Sequence, residues 1–472
     1  MSRGPVHAGP PGLRPERDPG EMEAEEQAAL SERGLSRTLW RLSLPIMFAG
    51  VSEIVLHVTN TIFLARVGVT ELAAIAVADS IWQLFLVVPL GLVDGIQILT
   101  ARHVGRGRPW AVGAVFRQGL LLVLIVSALL AVALGLAAPW LAHALVSSPA
   151  VGAATEAFLR LATFCIPLTA VSFAYGALYT SLGSTRVLVP ATLLLAITNI
   201  TLDYALILGG FGAPALGIRG AAWSSIGAEL VTVVFLTGHL VVRGHARRFR
   251  LFSLEMWNRH VYRRLARLSA PVSAQALVEG LRWLAFFLIL ERVGAVVLAV
   301  GNIVFACYEV FRVPTEAFGE AACSMVSHVI GGERSDRIGP VIRRATGAAA
   351  LATLPLVLLG LALPDWLLSV FTLDGALIDA GRASLRMVAL AMVAIVPAEM
   401  WREAVLGTGD TPAVLGIEVA LSAVMLAATY WTAIRLAWPL ELVWASLALA
   451  AGVALAASYG WMKSGAWRRL AY

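Results

Sequence analysis

The sequence predicts an all-α integral membrane protein: twelve transmembrane helices in two parallel six-helix repeats around a central cleft. Three observations carry that prediction. Hydrophobic residues make up 59% of the 472 and charged ones only 14%, with a mean hydropathy of +0.80, outside the range of water-soluble domains. The apolar residues fall in runs long enough for a helix to cross a bilayer, which takes about 20 residues, and those runs do not alternate as the strands of a barrel would. Finally, the second half of the chain repeats the first.

Taken in order, the spans are read near 39–63, 73–100, 111–137, 158–180, 187–208 and 221–242, then 270–290, 297–328, 341–361, 383–406, 413–434 and 440–462. Residues 1–36 are rich in Pro, Gly, Glu and Arg without apolar periodicity and are expected to be a disordered tail. No charged stretch leads directly into a short apolar run with an A-x-A site, so no cleavable signal peptide is expected. Arginines then decide the orientation, because short cytoplasmic loops retain positive charge. One set of connections holds Arg102, Arg106 and Arg108, Arg186, eight arginines from Arg243 to Arg267, and Arg334, Arg337, Arg343 and Arg344, whereas the other set carries about one each. Both termini are therefore expected in the cytoplasm, and a net charge of +6 needs only this topology and anionic lipid headgroups, not a nucleic acid. The expected plan is a tail 1–36, an N-terminal lobe 37–242, a basic linker 243–267, a C-terminal lobe 268–462 and a tail 463–472. Cys165, Cys307 and Cys323 lie inside spans without paired spacing, as buried small hydrophobes would. Trp140, Trp366 and Trp438, near span ends, read as interface anchors.

The duplication shows when the chain is slid against itself by 226 residues. "RLSLP" at 41–45 then meets "RLSAP" at 267–271, Glu53 meets Glu279, "RVG" at 66–68 meets "RVG" at 292–294, Asp94 meets Glu320 and Arg117 meets Arg343. Six spans per unit is an even number, so both units enter the membrane the same way, and two such bundles facing a cavity are the architecture of a secondary transporter.

Charges in mid-span cost about 2.5 to 3.5 kcal/mol each on insertion scales and are functional candidates by default. Glu53, Asp94, Asp203, Glu229, Glu279, Glu309, Glu316, Glu320, Glu399, Glu403 and Glu418 all qualify. In "VSEIVLHVTNTIFLARVG", residues 51–68, helical spacing puts Glu53, His57 and Asn60 on one face; either His57 merely satisfies Glu53, or the stripe faces the cavity. Glu309, Arg312 and Glu316 share a face, as do Glu399, Arg402 and Glu403, so each set reads equally as internal ion pairing or cavity lining. Asp94 and Glu320, equivalent in the repeat and near the inner ends of their helices, are expected to face the cytoplasmic side of the cleft.

"LGSTRVLVPATLLLAITNITLDYALILGGFGAPALGIRGAAWSS" (182–225), "GLVDGIQILTARHVGRGR" (91–108) and "LGTGDTP" (406–412) resemble the fifth helix, second-helix end and tenth-helix exit of the multidrug and toxic compound extrusion (MATE) family, at that family's spacing along the whole chain. The resemblance implies export of amphiphilic, cationic compounds in exchange for H⁺ or Na⁺, with no other cofactor. It carries the family's helix 5 pair onto Asn199 and Asp203, its helix 6 Thr onto Ser225, and its helix 1 Asp onto Asn60, which lacks the charge. Glu53 is then the expected replacement for that acid, with His57 between. Glu279, eight residues after Pro271 as the family's helix 7 glutamate is after its proline, joins Asp94, Glu320 and Glu399 as the expected substrate-binding set.

The competing classes leave weaker traces. A lipid-linked-precursor flippase of the same superfamily should line its cavity with Arg and Lys, and here the mid-span excess is acidic. Neither an H-E-x-x-H, a D-D-x-x-D, a G-x-S-x-G nor a P-loop occurs in the sequence, which argues against a membrane enzyme or direct ATP drive. The expectation is a monomeric antiporter of the cytoplasmic (inner) cell membrane, with lipid and a small amphiphilic substrate as its partners.

Overall fold

The computed structural model describes residues 32–146, 148–251, 258–372 and 374–469, and all regular structure among them is helical. The N-terminal lobe holds α1 (Glu32–Val67), α2 (Val69–Gly105), α3 (Pro109–Leu145), α4 (Pro149–Ala162), α5 (Cys165–Ser181), α6 (Leu188–Leu208) and α7 (Ile218–Val242). In the C-terminal lobe are α8 (Arg259–Val293), α9 (Ala295–Gly331), α10 (Ile338–Ala362), α11 (Gly375–Gly407), α12 (Thr411–Tyr430) and α13 (Leu440–Ser464). Eleven of these helices are each long and apolar enough to cross a bilayer, and α4 with α5, bent by 48°, makes the twelfth span. Of the expected disordered tail, residues 1–31 lie outside the described residues and 32–36 already belong to α1; 252–257 of the linker and 470–472 also lie outside them.

The span expected over 158–180 is made by α4 and α5, which meet at a 48° bend. Pro167 lacks an N–H, and its ring crowds the carbonyl of Thr163, so the helix breaks at residues 163–164. The corresponding helix of the second lobe, α11, runs unbroken from Gly375 to Gly407 although it carries Pro397.

Lipid is the solvent for the outer faces. On α3, Leu121, Leu124, Ile125, Leu129, Val132 and Leu136 are exposed while Leu134, Ala138 and Ala142 are buried, a pattern that would promote aggregation in water. Trp140, Trp366 and Trp438 are exposed near helix ends, and the three cysteines are free and buried. Because lipid tails remove the hydrophobic drive for helix pairing, close contact between small residues takes its place. Gly91 and Gly95 of α2 lie against Ser273 and Ser269 of α8, where a Cβ on either glycine would come within 2.2 Å of a serine oxygen, and Ser273 Oγ donates to Val88 O at 2.9 Å. The two lobes are joined along this line and where α2 crosses α9 near Gly105 and Gly331. That crossing closes the cleft at the end carrying the arginine-rich loops, called the basic end below. The Glu316 side chain, in the middle of α9, is nevertheless 50% exposed, so the cleft opens away from the basic end.

Within the N-terminal lobe, Gly220 lets α7 touch α6. A Cβ there would lie 2.4 Å from Leu206 O, whereas one at Gly238 on the same helix would meet nothing within 4 Å. Gly220→Ala is therefore expected to separate the two helices at a cost of about 1–3 kcal/mol, read as a lower thermal midpoint in detergent. Gly238→Ala should leave the midpoint unchanged or raise it; equal effects would contradict this packing.

Candidate functional site: a charged cleft between two lobes

The contact between α6 and α7 shapes the first group. Asn199 and Asp203 stand one turn apart on α6 and are both buried, with Asp203 0% exposed. The hydroxyl of Ser224, on α7, donates to Asp203 Oδ1. The Asn60 amide is assigned with its nitrogen toward α6, since the opposite orientation would set its oxygen against acceptors. So turned, it donates to Asn199 Oδ1 at 3.0 Å and to the second Asp203 oxygen. Among the described residues no arginine, lysine or histidine pairs with Asp203, and no group of three or more His, Cys, Asp or Glu is placed to hold a metal ion.

A second group lines the N-terminal wall of the cleft. Glu229 of α7 accepts from Thr169 Oγ1 at 2.9 Å and Ser172 Oγ at 2.7 Å, both on α5. Glu53 of α1 is exposed, and its charged neighbours are Glu316, Glu229 and Asp79. His57 Nδ1 stands 3.9 Å from Asp79 Oδ2 of α2.

The C-terminal wall is built differently. Arg312 reaches Glu279 at 3.3 Å, Glu309 at 3.2 Å and Glu316 at 2.6 Å, while the buried Arg282 reaches Glu279 at 3.4 Å and Glu418 at 3.5 Å. Arg402 clasps both oxygens of Glu399 and meets Glu403 at 3.0 Å. Glu279, Arg282, Arg312, Glu316, Glu399, Arg402 and Glu418 line a hollow of about 640 Å³ that is open to solvent. Beneath it, toward the basic end, Asp94, Glu320 and Glu403 line an adjoining hollow with Gln97 and Arg402. Glu320 accepts from Thr180 Oγ1 of the other lobe at 3.2 Å.

The structure thus brings Asn60, Asn199 and Asp203 together, and gathers Asp94 with Glu320 and Glu279 with Glu399. Two sequence expectations are corrected, those for Ser225 and His57. Ser225 donates to Ala221 O at 3.0 Å and it is Ser224 that meets Asp203; adjacent serines differ by about 100° around a helix, which sequence could not choose between. Glu53 stands seven residues, about 10 Å along α1, from Asn60, and its charged neighbours are other acids of the cleft. His57 faces Asp79, not Glu53. Asp79 escaped the sequence reading, although the rule that flagged the other mid-span acids applies equally within "VADSIW".

Two parallel six-helix lobes enclosing a charged cleft that is closed at one end define the fold of a membrane transporter. The MatE family model matches residues 45–205 and 271–431, one stretch in each repeat. The chain belongs to the MatE family. A probable multidrug resistance protein NorM from Rhizobium meliloti (strain 1021) is 27% identical over 264 residues, covering 56% of this chain and 56% of that relative, so the chain spans about half the length of the relative it matches. In the solved structures, a MOP superfamily transporter from Pyrococcus furiosus (TM-score 0.84, 18% identity, 94% of this chain and 98% of that one) and a Vibrio cholerae MATE transporter in the bent form (TM-score 0.84, 18% identity, 93% and 99%) share the fold.

The two serines of α7 give a direct check on the Asp203 site. Ser224→Ala leaves a buried carboxyl short of a donor and is expected to lower stability by about 1–3 kcal/mol. Ser225→Ala should stay within about 0.5 kcal/mol of the parent. Thermal unfolding of both in detergent decides it, and the reverse order would reject the assignment of Ser224.

Proposed function

We propose that the protein is a secondary active antiporter that exports amphiphilic cationic compounds in exchange for H⁺ or Na⁺. The observation that carries this reading is Asp203, fully buried and held by neutral groups alone, Ser224 and Asn60, with Asn199 beside them. A carboxylate in so dry a place is costly unless something neutralises it. With no cationic side chain on hand among the described residues, a proton or Na⁺ is what can do so, and each visit moves charge through the lobe. The cleft supports the substrate half of the reading. Glu53, Asp79 and Glu229 on one wall and Asp94 and Glu320 at its floor offer acids to a cation, and Trp283, Phe305 and Tyr308 pack together on the C-terminal side. The name of the Rhizobium relative, a multidrug resistance protein, agrees with it.

Arg282, Arg312 and Arg402 in the same hollow favour a second reading, an anionic substrate such as a lipid-linked precursor moved by a flippase. Each arginine is matched by at least two carboxylates, so the hollow as a whole leans acidic and the first reading is preferred. Membrane placement follows the arginines: the basic end is assigned to the cytoplasm of the inner membrane, with both termini there and the protein acting as a monomer in lipid.

Transport of a cationic dye into inverted vesicles, with the pH and Na⁺ gradients imposed separately, tests the proposal. Uptake is expected under one gradient and not in its absence; dye movement under neither would reject antiport, and movement of an anionic lipid analogue instead would install the second reading. Asp203→Asn keeps the shape and removes the charge, so it is expected to abolish gradient-driven transport in correctly inserted protein. Parental rates in that variant would refute the coupling role.

A further inference from the structure

The basic end is closed by a crossing that the repeat makes reciprocal. A Cβ on Gly105 of α2 would lie 2.0 Å from His328 O of α9, and one on Gly331 of α9 would lie 2.1 Å from Arg102 O of α2. Gly105 and Gly331 are equivalent under the 226-residue offset, as are Arg102 and His328, so a local two-fold axis runs through the contact. Backbone touches backbone here in a way no residue with a side chain permits. From this crossing Arg102, 2% exposed, reaches into the opposite lobe. Its Nη2 donates to Thr408 O at 2.7 Å and Gly407 O at 3.3 Å, carbonyls at the C-terminal end of α11 that have no partner inside the helix and carry the negative end of its dipole. Ser327 Oγ donates to the same Gly407 carbonyl at 2.7 Å.

One to three turns toward the cleft, the two lobes are laced again. Gln97 Nε2 donates to Glu320 O at 3.3 Å and Thr180 Oγ1 to the Glu320 carboxylate at 3.2 Å. Ser181 Oγ donates to Gln97 O at 3.0 Å within the N-terminal lobe, which ties α5 into the same ladder. The floor of the cleft and the crossing are therefore joined by hydrogen bonds between the same helices.

We propose that the Gly105/Gly331 crossing, pinned by Arg102 on the end of α11, is the latch that must part for the cleft to open at the basic end. Glu320 is its positioning link: its carboxylate is oriented across the lobes by Thr180 while the latch is shut, and it loses that partner when the lobes separate. The latch rests on the transport reading only in that a transporter must open at both ends. Its geometry is testable without any substrate.

Spin labels at Arg106→Cys and Glu333→Cys flank the crossing, in protein whose native cysteines are buried and embedded in lipid nanodiscs. The parent is expected to show a dominant short-distance population. Arg102→Gln removes the charge-assisted bonds to α11 and should raise the ratio of separated to closed protein at least about tenfold; identical distance distributions in parent and variant would overturn the latch. In the second arm, the same two cysteines are joined by a short reducible cross-linker. The cross-linked protein should stop transporting the dye and recover on reduction. Undiminished transport while cross-linked would show that the lobes never part here, whichever ion drives them. An uncoupled parent, by contrast, would count against the antiport reading and leave the distance measurement to decide the latch.

Discussion

Close approach between α2 and the opposite lobe is the constraint on which the remaining architecture depends. In water, two such bundles would be pressed together by apolar burial, but in a bilayer the tails solvate leucine as well as another helix does. What remains is contact at short range, and it requires residues small enough to allow it. Gly91 and Gly95 settle onto Ser273 and Ser269, and Gly105 onto the backbone of α9. Because α2 is pinned along this line, Asp94 is held over the floor of the cleft beside Glu320 and Glu403, and Gln97 can reach across to the other lobe.

Duplication has produced two lobes of like shape and unlike chemistry. The N-terminal lobe holds Asp203 and Glu229 with hydroxyls and amides. In the C-terminal lobe, Glu279, Glu309, Glu316, Glu399, Glu403 and Glu418 are knitted to Arg282, Arg312 and Arg402. A carboxylate with neutral partners can gain and lose a counter-charge without stranding another ion. A carboxylate inside an ion-pair network cannot, since removing one partner from such a buried set costs about 3–5 kcal/mol. On the proposed function, this difference divides the labour: ion exchange falls to the N-terminal lobe, and the networked lobe presents a fixed pattern of charge to whatever enters the cleft.

Helix breaks show the same divergence at the level of backbone. The fourth span is bent by 48° near Pro167, whereas its repeat-mate α11 runs unbroken past its own Pro397, and that helix ends in the carbonyls that Arg102 holds. Its N-terminal end is tied down near the far surface, where Arg382 grips Asp365 through two bonds of 2.6 and 2.9 Å.

By itself, the sequence determined the membrane setting, the number of spans and their repeat, because apolar run length, arginine placement and an offset of identical residues are local or self-comparing signals. Asp203 stood out as a mid-span acid whose burial is costly, and the family resemblance, not the spacing, grouped it with Asn199 and Asn60, which the structure brings together. Only the tertiary structure decided which of two neighbouring serines meets Asp203, that His57 belongs with Asp79, and that Glu53 looks across the cleft at other acids. Those outcomes turn on the rotation of one helix against another, which shifts by about 100° for each residue and is set by packing partners distant in the chain. The seal at Gly105 and Gly331 is of the same kind: glycine is permitted in many places, and its meaning here appears when another backbone is found lying on it.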